Sequence, residues 1–158
     1  MNNLTQKERM LLEDQKAHEE LCIQKYQNYA KQAQDPQLKQ LFSSLAQKEQ
    51  EHLNTINQIL TGQVPNIQQS QQAGQQMPQF GQQIQQNQQT QMPGTMANQN
   101  DSTLCTDMLT TEKYVSGTYD TTIFECTDAN IRQVLNHIQK EEQEHGEQIF
   151  NYMQSMGM

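Results

Sequence analysis

Apolar and small residues recur at alternating spacings of three and four in two stretches of the chain, residues 5–60 and 102–156. This spacing puts them on one face of an α-helix and is typical of helices that pack into a bundle. Asp35-Pro36 divides the first stretch, because Asp is a good N-cap and Pro suits the first helical position. Asp128 divides the second stretch in the same way. The pattern therefore predicts four helices, at roughly 5–33, 36–60, 102–126 and 129–156.

Between the two stretches lies a segment of different composition, residues 62–100, which is rich in Gln, Pro and Gly and almost uncharged. It has no apolar period that would drive burial, so we expect a flexible linker. Gln-rich tracts of this kind can also self-associate. The chain thus divides into a first hairpin (1–61), a linker (62–100) and a second hairpin (101–158). We expect the two hairpins to form one all-α, antiparallel four-helix bundle with a long crossover between its second and third helices.

The two helical stretches are an internal repeat, related by a shift of 93 residues without a gap. The shift superposes Leu11 on Leu104, Glu19 on Glu112, Tyr26 on Tyr119, Asp35 on Asp128, and Glu49-Gln-Glu-His52 on Glu142-Gln-Glu-His145. Overall identity between the halves is modest, and the matches concentrate on residue types that can carry chemistry.

Each half contains a lone Glu followed by a Glu-x-x-His motif 30 residues later. Residues three apart lie on one face of a helix, so the Glu and His of each motif point the same way. Because the turn at Asp35 lies about midway between Glu19 and Glu49, these two carboxylates come level in an antiparallel hairpin. Two packed hairpins then place six side chains in one layer of the core: Glu19, Glu49, His52, Glu112, Glu142 and His145.

This set has the composition of a two-metal site in a helical bundle, with one Glu from each of two helices and Glu-x-x-His from the other two. Four buried carboxylates repel one another, and two divalent cations would neutralise them. Oxygen and imidazole ligands without thiolates favour iron or manganese, so we expect two such ions. A single Glu-x-x-His on a Glu-rich helix is usually a solvated face, but here it occurs twice on the apolar seam.

Two tyrosines, Tyr26 and Tyr119, lie two turns after Glu19 and Glu112. They are either core aromatics whose hydroxyls need a partner or hydrogen-bond donors to a ligand carboxylate. No residue is assigned a catalytic role.

The composition excludes other classes of protein. A net charge of −8 argues against binding nucleic acid, which needs a basic surface. No apolar run approaches the roughly 20 residues of a membrane span. Residues 1–16 lack the apolar stretch of a secretory signal, so we expect synthesis in the cytoplasm.

The segments DMLTTEKYVSGTY, from Asp107, and VLNHIQKEEQEHGEQIFNYM, from Val134, resemble the Coat F family of spore coat proteins. At its Glu-x-x-His motifs the chain also resembles the ferritin-like superfamily, and residues 19–30 resemble, more distantly, the first helix of rubrerythrins. The superfamily resemblance implies roles for the six ligands. It makes Glu49 and Glu142 the bridging carboxylates, Glu19 and Glu112 the terminal carboxylates, and His52 and His145 the histidine ligands.

Three functions are compatible with these observations. The first is a spore coat or spore-associated ferritin-like protein that carries a metal pair and associates with itself or with other coat proteins. The second is a di-iron or di-manganese oxidoreductase that reduces peroxide or oxidises Fe(II), as rubrerythrins and manganese catalases do. The chain has no CxxC pair, so electron delivery of the kind found in full rubrerythrins is not expected. The third is metal-independent oligomerisation through the Gln-rich linker.

Overall fold

The computed structural model describes residues 4–65 and 98–158, which form four long α-helices joined as two hairpins. The helices are α1 (Gln6–Gln32), α2 (Pro36–Leu60), α3 (Gln99–Glu125) and α4 (Ala129–Ser155). The predicted all-α architecture of two helical hairpins is therefore confirmed. Of the predicted linker, residues 66–97 lie outside the described residues.

The helix ends follow local capping chemistry. Thr5 and Glu8 form a reciprocal capping box at the start of α1. Asp35 caps α2 by accepting a 2.6 Å hydrogen bond from the backbone N–H of Gln37, directly before Pro36. At the end of α2, Gly62 adopts a φ of +87°, a left-handed conformation that glycine tolerates without a steric penalty.

One predicted boundary is wrong. The third helix begins at Gln99 rather than near residue 102, so the last residues of the predicted linker belong to it. The cause is Asn98, whose side chain accepts a 2.9 Å hydrogen bond from the backbone N–H of Asn100 and acts as the N-cap. The sequence did not identify Asn98 as the cap, because the residues around it are also polar.

Contacts between the hairpins define the directions of the helices. Gln15, in the first half of α1, donates a 2.9 Å hydrogen bond to Thr122 near the end of α3. Asp35, just beyond the end of α1, donates its backbone N–H to Asp101 near the start of α3 at 2.9 Å. Helices α1 and α3 therefore run antiparallel, and so α2 and α3 point the same way. The end of α2 and the start of α3 consequently lie at opposite ends of the bundle.

The core repeats with the sequence. Positions related by the 93-residue shift are buried in both halves, among them Leu38 with Ile131, Phe42 with Leu135, Leu45 with Ile138, and Ile56 with Ile149. Because equivalent positions are buried, the two hairpins present the same face to each other. Two residues related by the 93-residue shift therefore lie at symmetric positions about the middle of the bundle.

A buried acid at the start of α1 and another at the start of α3 hold the turn of the opposite hairpin. Glu8 accepts hydrogen bonds from the backbone N–H and the hydroxyl of Thr127, at 2.7 and 2.9 Å. Its repeat equivalent, Asp101, accepts backbone N–H bonds from Gln34 and Asp35, both at 2.9 Å. Burial would raise the pKa of Glu8, but the bonds from Thr127 and Thr5 outweigh it and lower the pKa to about 2.

We expect Glu8→Gln to destabilise the protein by about 2 kcal/mol at pH 7, because it weakens charge-assisted hydrogen bonds to a buried turn. Since the pKa of Glu8 is lowered on folding, its contribution is present above pH 4.5 and is lost as the pH falls towards 2. Urea unfolding at pH 7 and at pH 3.5 measures both effects. Glu13→Gln, at an exposed position of α1, is the control. Equal stability of the two variants at pH 7 would contradict the role of Glu8.

Candidate metal centre

Six buried side chains from all four helices meet inside the bundle. Two overlapping groups among them each bring four possible ligand atoms within 4.8 Å of one another and could hold a metal ion. The first group is Glu19, Glu49, His52 and Glu142, and the second is Glu49, Glu112, Glu142 and His145. The structure thus brings together all six residues that the sequence singled out. Glu49 and Glu142 belong to both groups, which is the position that a bridging carboxylate would occupy.

The two histidines direct Nδ1 into this cluster. Nδ1 of His52 lies 2.9 Å from Glu142 Oε1 and 3.4 Å from Glu49 Oε2. Nδ1 of His145 lies 2.9 Å from Glu49 Oε1 and 3.8 Å from Glu112 Oε2. The two imidazole rings stack, with centroids 5.4 Å apart and planes inclined by 17°. The two rings therefore present the same nitrogen, Nδ1, to the cluster.

The cluster has polar atoms that the protein itself does not satisfy. Seven buried side-chain nitrogen or oxygen atoms in the described part of the chain lack a hydrogen-bond partner, and six of them lie here. These six are Glu19 Oε2, Glu49 Oε2, His52 Nδ1, Glu112 Oε2, and both carboxylate oxygens of Glu142. Proteins rarely leave buried polar atoms unpaired, since each costs about 1–3 kcal/mol. Converging acceptor atoms without donors are what a cation site requires, so these residues could hold a metal ion.

The pKa values of the cluster's carboxylates shift in opposite directions, because burial raises them and contacts with the histidines lower them. Burial raises the pKa of Glu19 to about 7, with repulsion from Glu49 acting in the same sense and His52 opposing it. Burial and the neighbouring carboxylates raise the pKa of Glu142 well above its usual range. Burial would also raise the pKa of Glu49, but hydrogen bonds to His145 and His52 outweigh it and lower that pKa. One shared carboxylate is thus held as an anion and the other as an acid.

The histidines are held in their protonated form by the same carboxylates. Burial would lower the pKa of His145, but its contacts with Glu112 and Glu49 outweigh burial and raise it to about 9. His52 shows the same balance, and its pKa is raised well above the usual value. Without a cation, His52, His145 and Glu142 therefore favour their protonated forms, whereas metal ligands must be deprotonated. Metal binding must release those protons.

The two tyrosines donate to terminal carboxylates across the bundle. Tyr26 of α1 hydrogen-bonds Glu112 of α3, and Tyr119 of α3 hydrogen-bonds Glu19 of α1. Burial, followed by the charge of the nearest carboxylate, raises the pKa of both phenols well above 10, so both hydroxyls keep their protons. Each tyrosine leaves one oxygen of its carboxylate facing the cluster. Each tyrosine contacts the glutamate of the other half of the repeat rather than that of its own helix.

Sequence reasoning missed one residue that touches the cluster from outside. Glu141 of α4 places Oε2 3.1 Å from Nε2 of His52, the nitrogen that faces away from the cluster. No local signal could identify this contact, because Glu141 and His52 lie on different hairpins. The repeat was no guide either, since its shift superposes Lys48 on Glu141.

A thiol lies near the cluster but does not join the ligand groups. Cys22 of α1 is fully buried, and burial, reinforced by the charges of Glu49 and Glu112, raises its pKa far above the usual range. A thiol that keeps its proton is a poor metal ligand. The donor set is therefore oxygen and imidazole nitrogen, which suits iron and manganese.

Comparison with known proteins gives one match. Residues 100–158 match the family model described as the Coat F domain. No curated protein and no solved structure matches the chain. The matched part comprises nearly all of α3 and α4 and contains half of the ligand cluster, namely Glu112, Glu142 and His145. None of the helices in the described part of the chain is apolar over a length that would cross a membrane.

Proposed function

We propose that this protein is a spore coat or spore-associated protein whose ferritin-like bundle binds two iron or manganese ions. Glu49 and Glu142 would bridge the ions, Glu19 and Glu112 would each bind one ion, and His52 and His145 would complete the set. The chain would be made in the cytoplasm and assembled into the coat, together with further copies of itself or with other coat proteins.

The observation that carries the metal site is the convergence of six unpartnered buried atoms on one cluster. A bundle that served packing alone would fill this layer with apolar side chains, since isolated buried carboxylates cost several kcal/mol each. Tyr26 and Tyr119 support the same interpretation, because each orients a terminal carboxylate while leaving one oxygen for a cation. The antiparallel direction of α1 and α3 is also the one a ferritin-like crossover needs.

The assignment to the spore coat is supported by the Coat F match over α3 and α4. The internal repeat extends that support to the first hairpin. Helix α1 begins 93 residues before α3, and α2 begins 93 residues before α4. We infer that the first hairpin is a second, divergent copy of the same domain. A single Coat F domain of this form would carry only half of the ligand set, and the duplication supplies both halves in one chain.

Metal analysis tests the site directly. We expect the purified protein to contain about two iron or manganese ions per chain, as in other two-metal bundles, and a Glu49→Ala/Glu142→Ala variant to contain none. Glu51→Ala/Glu144→Ala is the matched control, because these two glutamates are also repeat equivalents on α2 and α4 but are exposed. Elemental analysis after anaerobic incubation with Fe(II) or Mn(II) measures the result. A wild type that retains no more metal than the Glu49→Ala/Glu142→Ala variant would refute the site.

The alternative function is a di-iron or di-manganese oxidoreductase, and the complete six-residue ligand set favours it. A bound pair of such ions supplies two adjacent centres that can exchange electrons with peroxide. The residues of this chain would contribute binding, orientation through the two tyrosines, and a water-poor interior. Two assays separate the functions. Peroxide consumption by metal-loaded protein, lost in Glu49→Ala/Glu142→Ala, would indicate the enzyme, whereas coat localisation of a tagged protein without turnover would indicate the structural role.

A further inference from the structure

The outward nitrogens of the two cluster histidines have different surroundings. Nε2 of His52 lies 3.1 Å from Oε2 of Glu141, whose side chain is 26% exposed and reaches across from the other hairpin. No acceptor bonds Nε2 of His145 within residues 4–65 and 98–158, where the polar contacts of this ring are those of Nδ1. The asymmetry is notable because the repeat makes His52 and His145 equivalent.

The sequence difference behind this asymmetry is a charge reversal. Lys48 occupies the position in the first half that Glu141 occupies in the second. Lys48 pairs with Glu51 on its own helix, with Nζ 2.9 Å from Oε2. A lysine has no acceptor, so it cannot replace Glu141 as the partner of an imidazole N–H.

A carboxylate behind a histidine ligand acts on the metal through the ring. It accepts the N–H of the outer nitrogen, which fixes the tautomer, holds the ring in place and makes the inner nitrogen a stronger donor. Loss of such a partner typically weakens metal binding about 10- to 100-fold. His52 has this support from Glu141, and no described residue gives it to His145.

The tyrosine contacts of the two halves of the cluster correspond. Tyr119 bonds Glu19, and Tyr26 bonds Glu112. Glu49 and Glu142 take part in both groups of possible ligands. Behind the outward nitrogens of the two histidines, the halves differ at Glu141 and its repeat equivalent Lys48.

On the basis of the proposed metal site, we propose that its two positions are inequivalent and fill in order. Glu141 is a positioning residue that makes the position of Glu19 and His52 bind its ion first, roughly 10- to 100-fold more tightly than the position of Glu112 and His145. The protein would then hold one ion firmly at low metal concentration and take up the second only at higher concentration.

Zinc titration followed by nitrogen NMR of the histidine side chains tests this order in the full chain. Zn²⁺ is a suitable probe because it is diamagnetic and binds imidazole and carboxylate. In the wild type, we expect the Nδ1 signal of His52 to move during the first equivalent and that of His145 during the second. Glu141→Ala should weaken the first step roughly 10- to 100-fold, so that the two signals move together.

Further variants distinguish positioning from general damage. Lys48→Glu should tighten the second step, and Lys48→Glu/Glu141→Lys should reverse the order so that His145 fills first. Glu141→Gln, which keeps the side-chain shape and one acceptor, should retain part of the preference. Glu144→Ala, at an exposed position of α4, is the control and should leave both steps unchanged.

The possible failures have different meanings. If both signals move together in the wild type, or if His52 still fills first in Glu141→Ala, two ions bind but the proposed role of Glu141 is wrong. If neither signal moves at any Zn²⁺ concentration, the metal site itself is refuted, and this inference fails with it.

Discussion

In the absence of metal, a Glu142→Gln variant should be about 1–3 kcal/mol more stable than the wild type at pH 7.5, the usual cost of a poorly satisfied buried polar group. Both carboxylate oxygens of Glu142 are buried without a well-formed hydrogen bond, although Nδ1 of His52 lies 2.9 Å from Oε1, and the pKa of this group is raised well above its usual range. Burial and the charge of Glu49 therefore favour uptake of a proton by Glu142 on folding. Gln has the shape of the protonated acid and needs no proton from solvent, so the substitution removes this cost from the metal-free protein.

Metal should reverse the sign of this effect. The wild type should gain about 2.7 kcal/mol for each ion bound at a hundredfold excess over Kd, while Glu142→Gln loses a shared ligand and gains little. Urea unfolding in EDTA and in excess Mn(II) measures both differences, with Glu144→Gln as the surface control. A Glu142→Gln variant less stable than the wild type in EDTA would contradict the argument.

The other bridging position provides an internal contrast in the same experiment. Glu49 accepts a 2.9 Å hydrogen bond from His145, and its contacts with both histidines lower its pKa. Glu49→Gln should therefore destabilise the metal-free protein, although Glu49 and Glu142 are equivalent in the repeat and in the proposed ligand set. The two substitutions separate a residue whose charge stabilises the metal-free bundle from one whose charge destabilises it.

Features that depend on a single helix, namely its buried face and its start, could be predicted from the local sequence. The spacing of Leu38, Phe42, Leu45 and Glu49 identified the buried face of α2 because residues three and four apart share a face. Caps such as Asp35 located three helix starts to within a residue. The repeat then related the two halves of the ligand set, since a conserved pair on equivalent buried faces must approach the same point.

Contacts between hairpins were not predictable in the same way. The bonds from Tyr26 to Glu112 and from Glu8 to Thr127 depend on how one hairpin is rotated and shifted against the other. No single-helix period contains that information. The contact between Glu141 and His52 was even harder to predict, because the repeat has Lys48 at the position equivalent to Glu141. The change from Lys48 to Glu141 at equivalent positions became informative only after the fold showed that Glu141 contacts His52.

The stability of the metal-free protein should fall by several kcal/mol as the pH rises from 5 to 9. The pKa of Glu19 is raised to about 7, so its protonated form favours folding and this contribution is lost between pH 4.5 and 7. The pKa of His145 is raised to about 9, so its contribution is present below pH 6.5 and is lost as the pH rises through 9. Both groups therefore act in the same direction, although each shift is part of one coupled cluster.

Metal-loaded protein should show the opposite trend, because cations compete with these same protons and bind better as the pH rises. Urea unfolding at five pH values, in EDTA and in Mn(II), gives both curves, and the gap between them should widen from pH 5 to 9. Glu19→Gln should flatten the metal-free curve between pH 5 and 7, whereas Glu20→Gln, its exposed neighbour, should not. A metal-free wild type whose stability rises over this range would show that the cluster is not buried and protonated as described. A metal-free curve that falls while Mn(II) leaves it unchanged would retain the buried cluster and refute the metal site.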